Sequence, residues 1–570
     1  MKNQSKTEIN LFHLFILGIF ILAFVIRIYG ASNINFSNSE AEVLLSITGI
    51  KPSSSNSLLH DLILKVLLFF GIKGNLGFRL INAFIGSLIV LLPILFFQEI
   101  GKKPAILASM FFAFDPFGIV NSIFFSGSTL TIFFIGLLVE SIVHKRNYLI
   151  QLIIVLLGGH GRGLGSFLLI SFLFLMVLYF SDRDTLKRFQ SIVRENTSNY
   201  KNFLVAGLFI FIVTVLSFVT KTPISNLASD IVNFALAWSK NYQIGNFPIV
   251  YPFAIFSYIP FALIASLIFL IKKPKVEMEK FKLVFLWTTL AFLVITFSPG
   301  HLIIDLLWVS LPLWLITALF VSDYMLEQFH TLKDNLPFIG ILMAISVNIV
   351  LNIVALVYQS VWGMDISNTL MATLIICIFI IVLVLYQAFT ASITKALSAL
   401  FIVIFFFSGL LQLSISARTA GTNHKPENEI LWNGYYEDQD IVKEIIKTTK
   451  ASIFGTSGIL NIFIDGQMNN SIVWALNKER LFFQKSDTLV TNPEVIVSDN
   501  ETISLTGGAY QGQEFISNSY PIWTWDPVHS LISTDFWDWF FFRNNQQYKE
   551  YNSLWINKTT LEEHSFIGAN

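Results

Sequence analysis

Residues 35–50 read NFSNSEAEVLLSITGI and carry two carboxylates, Glu40 and Glu42, just after the first long apolar run of the chain. Carboxylates set near Arg or His can take protons, and a guanidinium pairs well with phosphate oxygens. More such groups follow: His60 and Asp61 in "LLHDLI", Arg79 in "GNLGFRL", Asp115 in "FAFDPFGIVNS", His160 and Arg162 in "GGHGRGLG", then Asp230, His301 and Asp305. They lie within apolar runs or at their edges, where an ionised group is costly without a partner. General-base work beside a bound lipid phosphate is the chemistry this set offers. Structural roles would use the same residue types. Glu40 and Glu42 suit the first turn or solvated face of an interfacial helix capped by Ser39, and His60–Asp61 suit an interfacial cap. Arg79 suits snorkelling, Asp115 a polar group at a Pro kink, and His160 and Arg162 loop anchoring. The acids do not form a ligand cluster, so no metal is expected, and no cofactor either.

The elements that position these groups are membrane helices. Of 570 residues, 54% are hydrophobic and 13% charged, with a mean hydropathy of +0.66, whereas soluble domains carry about 25% charged residues. A net charge of zero gives no sign of a nucleic-acid partner. The single Cys377 lies inside "LIICIFIIVLVL", which excludes a structural disulfide or a Cys-rich metal site. There is no Walker loop, no G-x-G-x-x-G after a strand and no H-E-x-x-H; "GGHGRGLG" sits between apolar segments rather than after a strand. The N-terminal "LFHLFILGIFILAFVIRIYG" lacks a small-x-small cleavage site and reads as an uncleaved signal-anchor helix.

Apolar runs fall at about 11–29, 76–97, 104–125, 128–143, 148–159, 164–181, 202–220, 250–271, 282–297, 302–321, 335–358, 367–389 and 394–414, about thirteen spans. With the N-terminus cytoplasmic, the inner connectors carry 16 Lys/Arg and the outer ones, up to residue 366, carry six. This is the positive-inside pattern, and an odd span count puts everything after residue 414 outside. Outer segments 30–75 and 221–249 read as amphipathic helices lying at the interface. From 415 to 570 the composition is that of an extracytoplasmic α+β domain. A helix is expected at 438–449, and strands at "NIFIDG", "SIVWAL", "LFFQ", "EVIVSD" and "TISLTG". The pairs Trp523–Trp525 and Trp537–Trp539 read as core or interface-belt aromatics.

Three motifs carry a resemblance: "HDL" at 60–62, "GNLGFRL" at 74–80 and "DPFGIVNSI" at 115–123. With the acid-bearing first outer loop they resemble the GT-C superfamily of polytopic glycosyltransferases, in particular the protein O-mannosyltransferase-like group, as a divergent bacterial member. The motifs cover residues 10–180 and the later spans match by layout. The resemblance implies a mainly α, GT-C-like fold in the plasma membrane. It implies transfer of a sugar from a polyprenyl-phosphate donor to an unknown protein or glycan acceptor at the extracytoplasmic face. It puts the base at Glu40, with Ser39 where the family has Asp and Glu42 as a second candidate. Arg79, Arg162 and His160 then become donor-phosphate ligands, and His60, Asp61 and Asp115 polar groups of the groove. Gly127 and Ser128 stand where the family has acids, and Arg162 where it has Lys. These departures suit a rival reading, a catalytically silent relative that binds or presents a lipid-linked glycan. A flippase or transporter would need broken polar helices in matching halves, and no repeat is present. "WTWD" at 523–526 hints at an oligosaccharyltransferase-like enzyme but lacks the rest of that signature.

Overall fold

The computed structural model describes residues 2–32, 35–51, 58–72, 74–124, 128–144, 151–155, 161–187, 190–191, scattered positions from 207 to 238, 247–272, 278–322, 335–420, 429–432, 439–454, 458–466, 468–483, 493–499, 509–521, 534–543 and 547–558. The helices are α1 (Lys2–Ser32), α2 (Asn38–Ile47), α3 (Leu58–Phe69), α4 (Asn75–Ile89), the one-turn α5 (Leu92–Leu95) and α6 (Phe97–Ile100), α7 (Lys102–Ala113), α8 (Pro116–Ile123), α9 (Ser128–Val143), α10 (Gly161–Ser181), α11 (Val250–Tyr258), α12 (Pro260–Lys272), α13 (Met278–Phe297), α14 (Leu307–Phe320), α15 (Leu336–Val361), α16 (Ser367–Thr390) and α17 (Ile393–Thr419).

Among the described residues six stretches are long and apolar enough to cross a bilayer, or up to eight if each of two bent pairs is one span. The chain is an integral membrane protein, and these account for six to eight of the thirteen expected spans. Three more expected runs are shorter apolar helices, Leu76–Ile89, Ser128–Val143 and Phe281–Phe297. Those expected at 148–159 and 202–220 fall largely outside the described residues. The bends have a local cause. Proline has no N–H to donate back along a helix, so the expected run 104–125 breaks before Pro116, where α7 and α8 meet at 57°. The run 250–271 breaks before Pro260, where α11 and α12 meet at 96°.

Lipid is as apolar as a leucine side chain, so membrane helices associate through close packing more than through the hydrophobic effect. Small residues serve that need here. A Cβ on Gly136 of α9 would come within 2.5 Å of Leu92, and one on Gly163 of α10 within 3.2 Å of Thr131. Ala105, Ala108 and Ser109 of α7 are buried as well. Outward-facing Leu351, Ile375, Ile378 and Phe389 on α15 and α16 are exposed, which suits an acyl-chain environment.

The tail holds α18 (Gln439–Phe454), α19 (Asn470–Ala475), α20 (Thr534–Phe542) and a five-stranded sheet. Its strands are β1 (Asn461–Asp465), β2 (Arg480–Phe483), β3 (Val495–Ser498), β4 (Tyr510–Pro521) and β5 (Gln547–Asn557), in the order β2-β1-β3-β5-β4. β1 pairs in parallel with β2 and β3, while β5 is antiparallel to both β3 and β4. "SIVWAL", expected as a strand, is α19. Parallel neighbours cannot be joined by a hairpin, so the link from β1 to β2 has to cross a face of the sheet, and a helix makes that crossing. "TISLTG" lies outside the described residues, as do Trp523 and Trp525. β4 and β5 are strands that the pattern of the tail did not reveal. The helix expected at 438–449 forms as α18, and the last long membrane helix continues past residue 414 to Thr419.

The tail grips the membrane part in two places. At the segment after α1, Leu45 of α2 joins the tail core of Val442, Ile446, Ile462, Ile464, Val495 and Val497. The Asn470 N–H donates to Asn38 Oδ1 (2.6 Å), Lys51 Nζ donates to Asn470 Oδ1 (2.8 Å), and Asn35 Nδ2 donates to Asp440 Oδ2 (3.2 Å). At the bend before Pro260, Phe536 and Trp539 of α20 pack on Phe253 and Tyr258, with ring centroids 5.5 and 6.2 Å apart. Trp539 is fully buried, as a core aromatic should be.

Candidate active site

Ser37, not Ser39, caps α2. Its hydroxyl accepts from the Glu40 N–H (3.3 Å), and the Glu40 carboxylate reaches back to the Ser37 N–H (2.9 Å), which makes a capping box. That box turns the Glu40 side chain inward, against the expectation of a solvated face. Glu40 is fully buried and meets Arg79 of α4, also fully buried. Arg79 Nε donates to Oε1 (2.9 Å) and Nη2 to Oε2 (2.6 Å), the two-pronged arrangement that makes Arg–carboxylate pairs strong. Arg79 also donates to the carbonyls of Ala31 (3.2 Å) and Asn35 (2.9 Å) and lies over the Phe36 ring at 5.2 Å. Arg79 therefore does not snorkel; it ties the segment that joins α1 to α2 to α4. Asn35 links this pair to the tail, since its carbonyl takes Arg79 while its side chain holds Asp440.

Glu42 is half-buried on the same helix, and its charge acts on Lys51. Burial lowers the Lys51 pKa, and Glu42 opposes that shift. His60 and Asp61 are buried near the start of α3 rather than capping at a wet interface. Burial pushes the His60 pKa down to about 4, because a charged imidazole loses its hydration there. In the tail, burial opposes a fall in the Asp440 pKa, but hydrogen bonds from Lys443 and Asn35 still bring it below the ordinary carboxylate value.

Asp115 is the N-cap of α8, its Oδ2 accepting from the Gly118 N–H (2.9 Å). The same carboxylate accepts from Ser310 Oγ (2.9 Å) and Trp314 Nε1 (3.1 Å), so it holds α14 against the bend. Arg27 of α1 is buried nearby and donates to Ser122 Oγ (3.2 Å) and the Ala23 carbonyl (3.0 Å). Gly86 of α4 leaves the space that Ser122 and Arg27 occupy. One turn beyond Arg79, Asn82 donates to the carbonyls of Asn121 (3.3 Å) and Phe124. Ser128, standing where the resembled family has an acid, donates to Asn121 Oδ1 (2.7 Å), and Asn121 Nδ2 donates to the Ile304 carbonyl (3.5 Å). Buried polar groups thus lie in a row along α4, α8 and α9, starting near the Glu40–Arg79 pair, and the Asn121 hydrogen bond carries that row to the Ile304 backbone.

Arg162 lies in the first turn of α10; His160 lies outside the described residues. Arg27 and the Glu429–Arg543–Tyr258 cluster were not legible as site residues. Arg27 had a signal, a charge within the first span; Glu429 and Arg543 had none. Arg543 Nε donates to Glu429 Oε1 (3.1 Å), the Tyr258 hydroxyl donates to Glu429, and the Arg543 guanidinium stacks on Trp539 at 4.2 Å. Arg543 follows α20 with φ 54°, a helix-ending conformation usually taken by Gly, and these contacts hold it there.

No family model matches the chain, and no curated protein matches it. Among solved structures it is similar to ArnT from Cupriavidus metallidurans bound to undecaprenyl phosphate, at 9% identity over 85% of this chain and 92% of that one, with a TM-score of 0.49. It is also similar to ArnT from the same organism in the apo state, at 11% identity over 86% of this chain and 93% of that one, with a TM-score of 0.46.

Proposed function

We propose that the protein transfers a sugar from a polyprenyl-phosphate carrier to an acceptor hydroxyl at the extracytoplasmic face of the membrane, as a GT-C-type enzyme of the O-mannosyltransferase-like kind. The observation that carries this reading is the Glu40–Arg79 pair. A carboxylate on the first outer loop and a guanidinium at the head of a membrane helix meet under the tail domain. A phosphate monoester or diester presents oxygens that match the same guanidinium fork, so donor binding would draw Arg79 from Glu40 to the lipid phosphate. Glu40, released, is then a carboxylate within reach of an acceptor. Arg162 stands as a further phosphate ligand, since the first turn of a helix favours anions, with His160 two residues before it in the sequence as another and Glu42 as a secondary acid. His60, Asp61 and Asp115 support the loop and the helix bend. The N-terminus is cytoplasmic and the tail extracytoplasmic, on the Lys/Arg distribution. Incubation of the purified protein with a panel of radiolabelled polyprenyl-phosphate sugars and hydroxyl acceptors, with binding and turnover scored separately, tests the reading. Turnover of one donor is expected, and binding without turnover for every donor overturns it.

The silent, glycan-binding reading keeps one specific observation in its favour. Both Glu40 oxygens accept from Arg79, and Oε2 also from the Ser37 N–H and hydroxyl. A carboxylate so engaged has to be released by Arg79 before it can meet an acceptor hydroxyl.

A further inference from the structure

A second proton-handling group sits at the far end of the buried polar row. His301 occupies the turn between α13 and the short 3-10 helix Ile303–Leu306. Its Nδ1 is 3.2 Å from Asp305 Oδ2 and its Nε2 is 3.2 Å from Ser166 Oγ of α10. All three residues are buried, at 1%, 5% and 0% exposure. The carboxylate also accepts from the Leu302 N–H (2.9 Å), and the Tyr251 hydroxyl donates to the His301 carbonyl (2.8 Å). An ionised carboxylate only accepts, so Asp305 makes Nδ1 the protonated nitrogen and leaves the Nε2 lone pair facing a hydroxyl. This is the arrangement of an oriented imidazole base, with Ser166 Oγ marking where an oxygen nucleophile lies relative to it.

The surroundings are built for this placement. A Cβ on Gly165 would come within 2.4 Å of the Phe234 ring, and one on Gly300 within 2.7 Å of Ala237. The two glycines thus admit the 234–237 segment of the second outer loop, and the Phe234 ring lies 5.9 Å from the imidazole. Phe234 and Ala237 thus cover this side of the turn that bears His301, while Leu236 and Trp238 of the same segment are exposed. The Asn121–Ile304 hydrogen bond joins the site to the row that begins at Arg79.

We propose that His301, oriented by Asp305, takes the proton of the acceptor hydroxyl in the sugar transfer. The proposal rests on the transferase reading and relocates its base. The acceptor O–H proton passes to Nε2 while the acceptor oxygen bonds to the anomeric carbon. The bond from that carbon to the phosphate oxygen breaks, its electron pair leaving on the lipid phosphate, and the imidazolium, stabilised by Asp305, later returns its proton to water. Unlike Glu40, His301 needs no ion pair to open first. Asp305 acts as a positioning residue, and Ser166 fills the acceptor's place when none is bound.

The test uses the full-length protein in detergent, with a polyprenyl-phosphate sugar from the panel that the wild type turns over, and with binding of the same lipid measured apart from turnover. His301→Gln is expected to bind the lipid like wild type and to lose about 10²–10⁴-fold in turnover, the usual worth of a positioned base. Asp305→Asn is expected to lower kcat with KM for the donor unchanged. Wild-type turnover retained by His301→Gln, or loss of lipid binding in parallel with turnover in both His301→Gln and Asp305→Asn, overturns the proposal. A wild type that turns over no donor sinks the transferase reading itself, a result distinct from a working wild type with a working His301→Gln.

Discussion

The buried Glu40–Arg79 pair makes a quantitative prediction that separates anchoring from catalysis. Neither side chain is exposed, and their closest contact is 2.6 Å. Two such charges attract by several kcal/mol even at an effective dielectric of about 20, but both have given up hydration, so the net worth of the pair is far smaller than the attraction. Removing one partner is a different matter, because it leaves the other charge buried and uncompensated, at a cost of about 3–5 kcal/mol. Glu40→Gln retains an amide oxygen for Arg79 and should fall near the lower end. Arg79→Met leaves a buried carboxylate that has lost its guanidinium and keeps the neutral Ser37 N–H and hydroxyl, and should fall near the upper end. The double variant removes both charges and should lie within about 2 kcal/mol of wild type, giving a coupling of about 6 kcal/mol between the sites. Denaturant titration in mixed micelles, followed by tryptophan fluorescence, measures the four species of the cycle. Single variants each costing less than about 1 kcal/mol, or costs that add to within about 0.5 kcal/mol, would refute the argument that the pair is tightly coupled in the folded protein. In that event Glu40 is free to serve as a base. A large coupling instead means that a turnover loss in Glu40→Gln has to be corrected for lost structure before it is read as chemistry.

Three further outcomes are expected. The His60 pKa, about 4 in the folded protein against an ordinary 6.5, means that the unfolded chain binds the extra proton first. Stability from His60 is therefore complete above pH 6.5 and falls as pH drops toward 4, by about 3 kcal/mol at most; a His60→Asn variant that loses stability with acidification as steeply as wild type would refute this. Arg162→Ala should weaken binding of a radiolabelled polyprenyl-phosphate sugar by about tenfold or more, the worth of one charge-assisted contact, and Arg162→Lys should restore it only in part; unchanged binding in both variants removes Arg162 from the donor site. A reporter active only outside the cytoplasm should work when fused after residue 420 and fail when fused near residue 190, and the reverse pattern would invert the assigned topology.

The class of this protein was legible in one dimension, because the bilayer imposes a simple rule: a span must be long, apolar and internally hydrogen-bonded. Runs such as Phe12–Tyr29 and Ser367–Thr390 satisfy that rule residue by residue, and no knowledge of partners is needed to see them. The helix at Gln439–Phe454 and the strand Val495–Ser498 were legible for a similar reason, since local periodicity and chain composition decide them. What "SIVWAL" becomes was not local. An apolar hexapeptide fits a strand or a helix equally, and it is a helix because β1 and β2 pair in parallel. The site divides in the same way. The sequence singled out Glu40, Arg79 and Asp115 as groups costly to leave unpaired at membrane depth or at its rim. It did not say that Glu40 pairs with a guanidinium 39 residues away, that Asp115 holds Ser310 and Trp314, or that His301 stands between Asp305 and Ser166. A sequence shows the cost of burying a charge at the position that bears it, whereas the compensating partner comes from another helix, and only the packing of the helices decides which one.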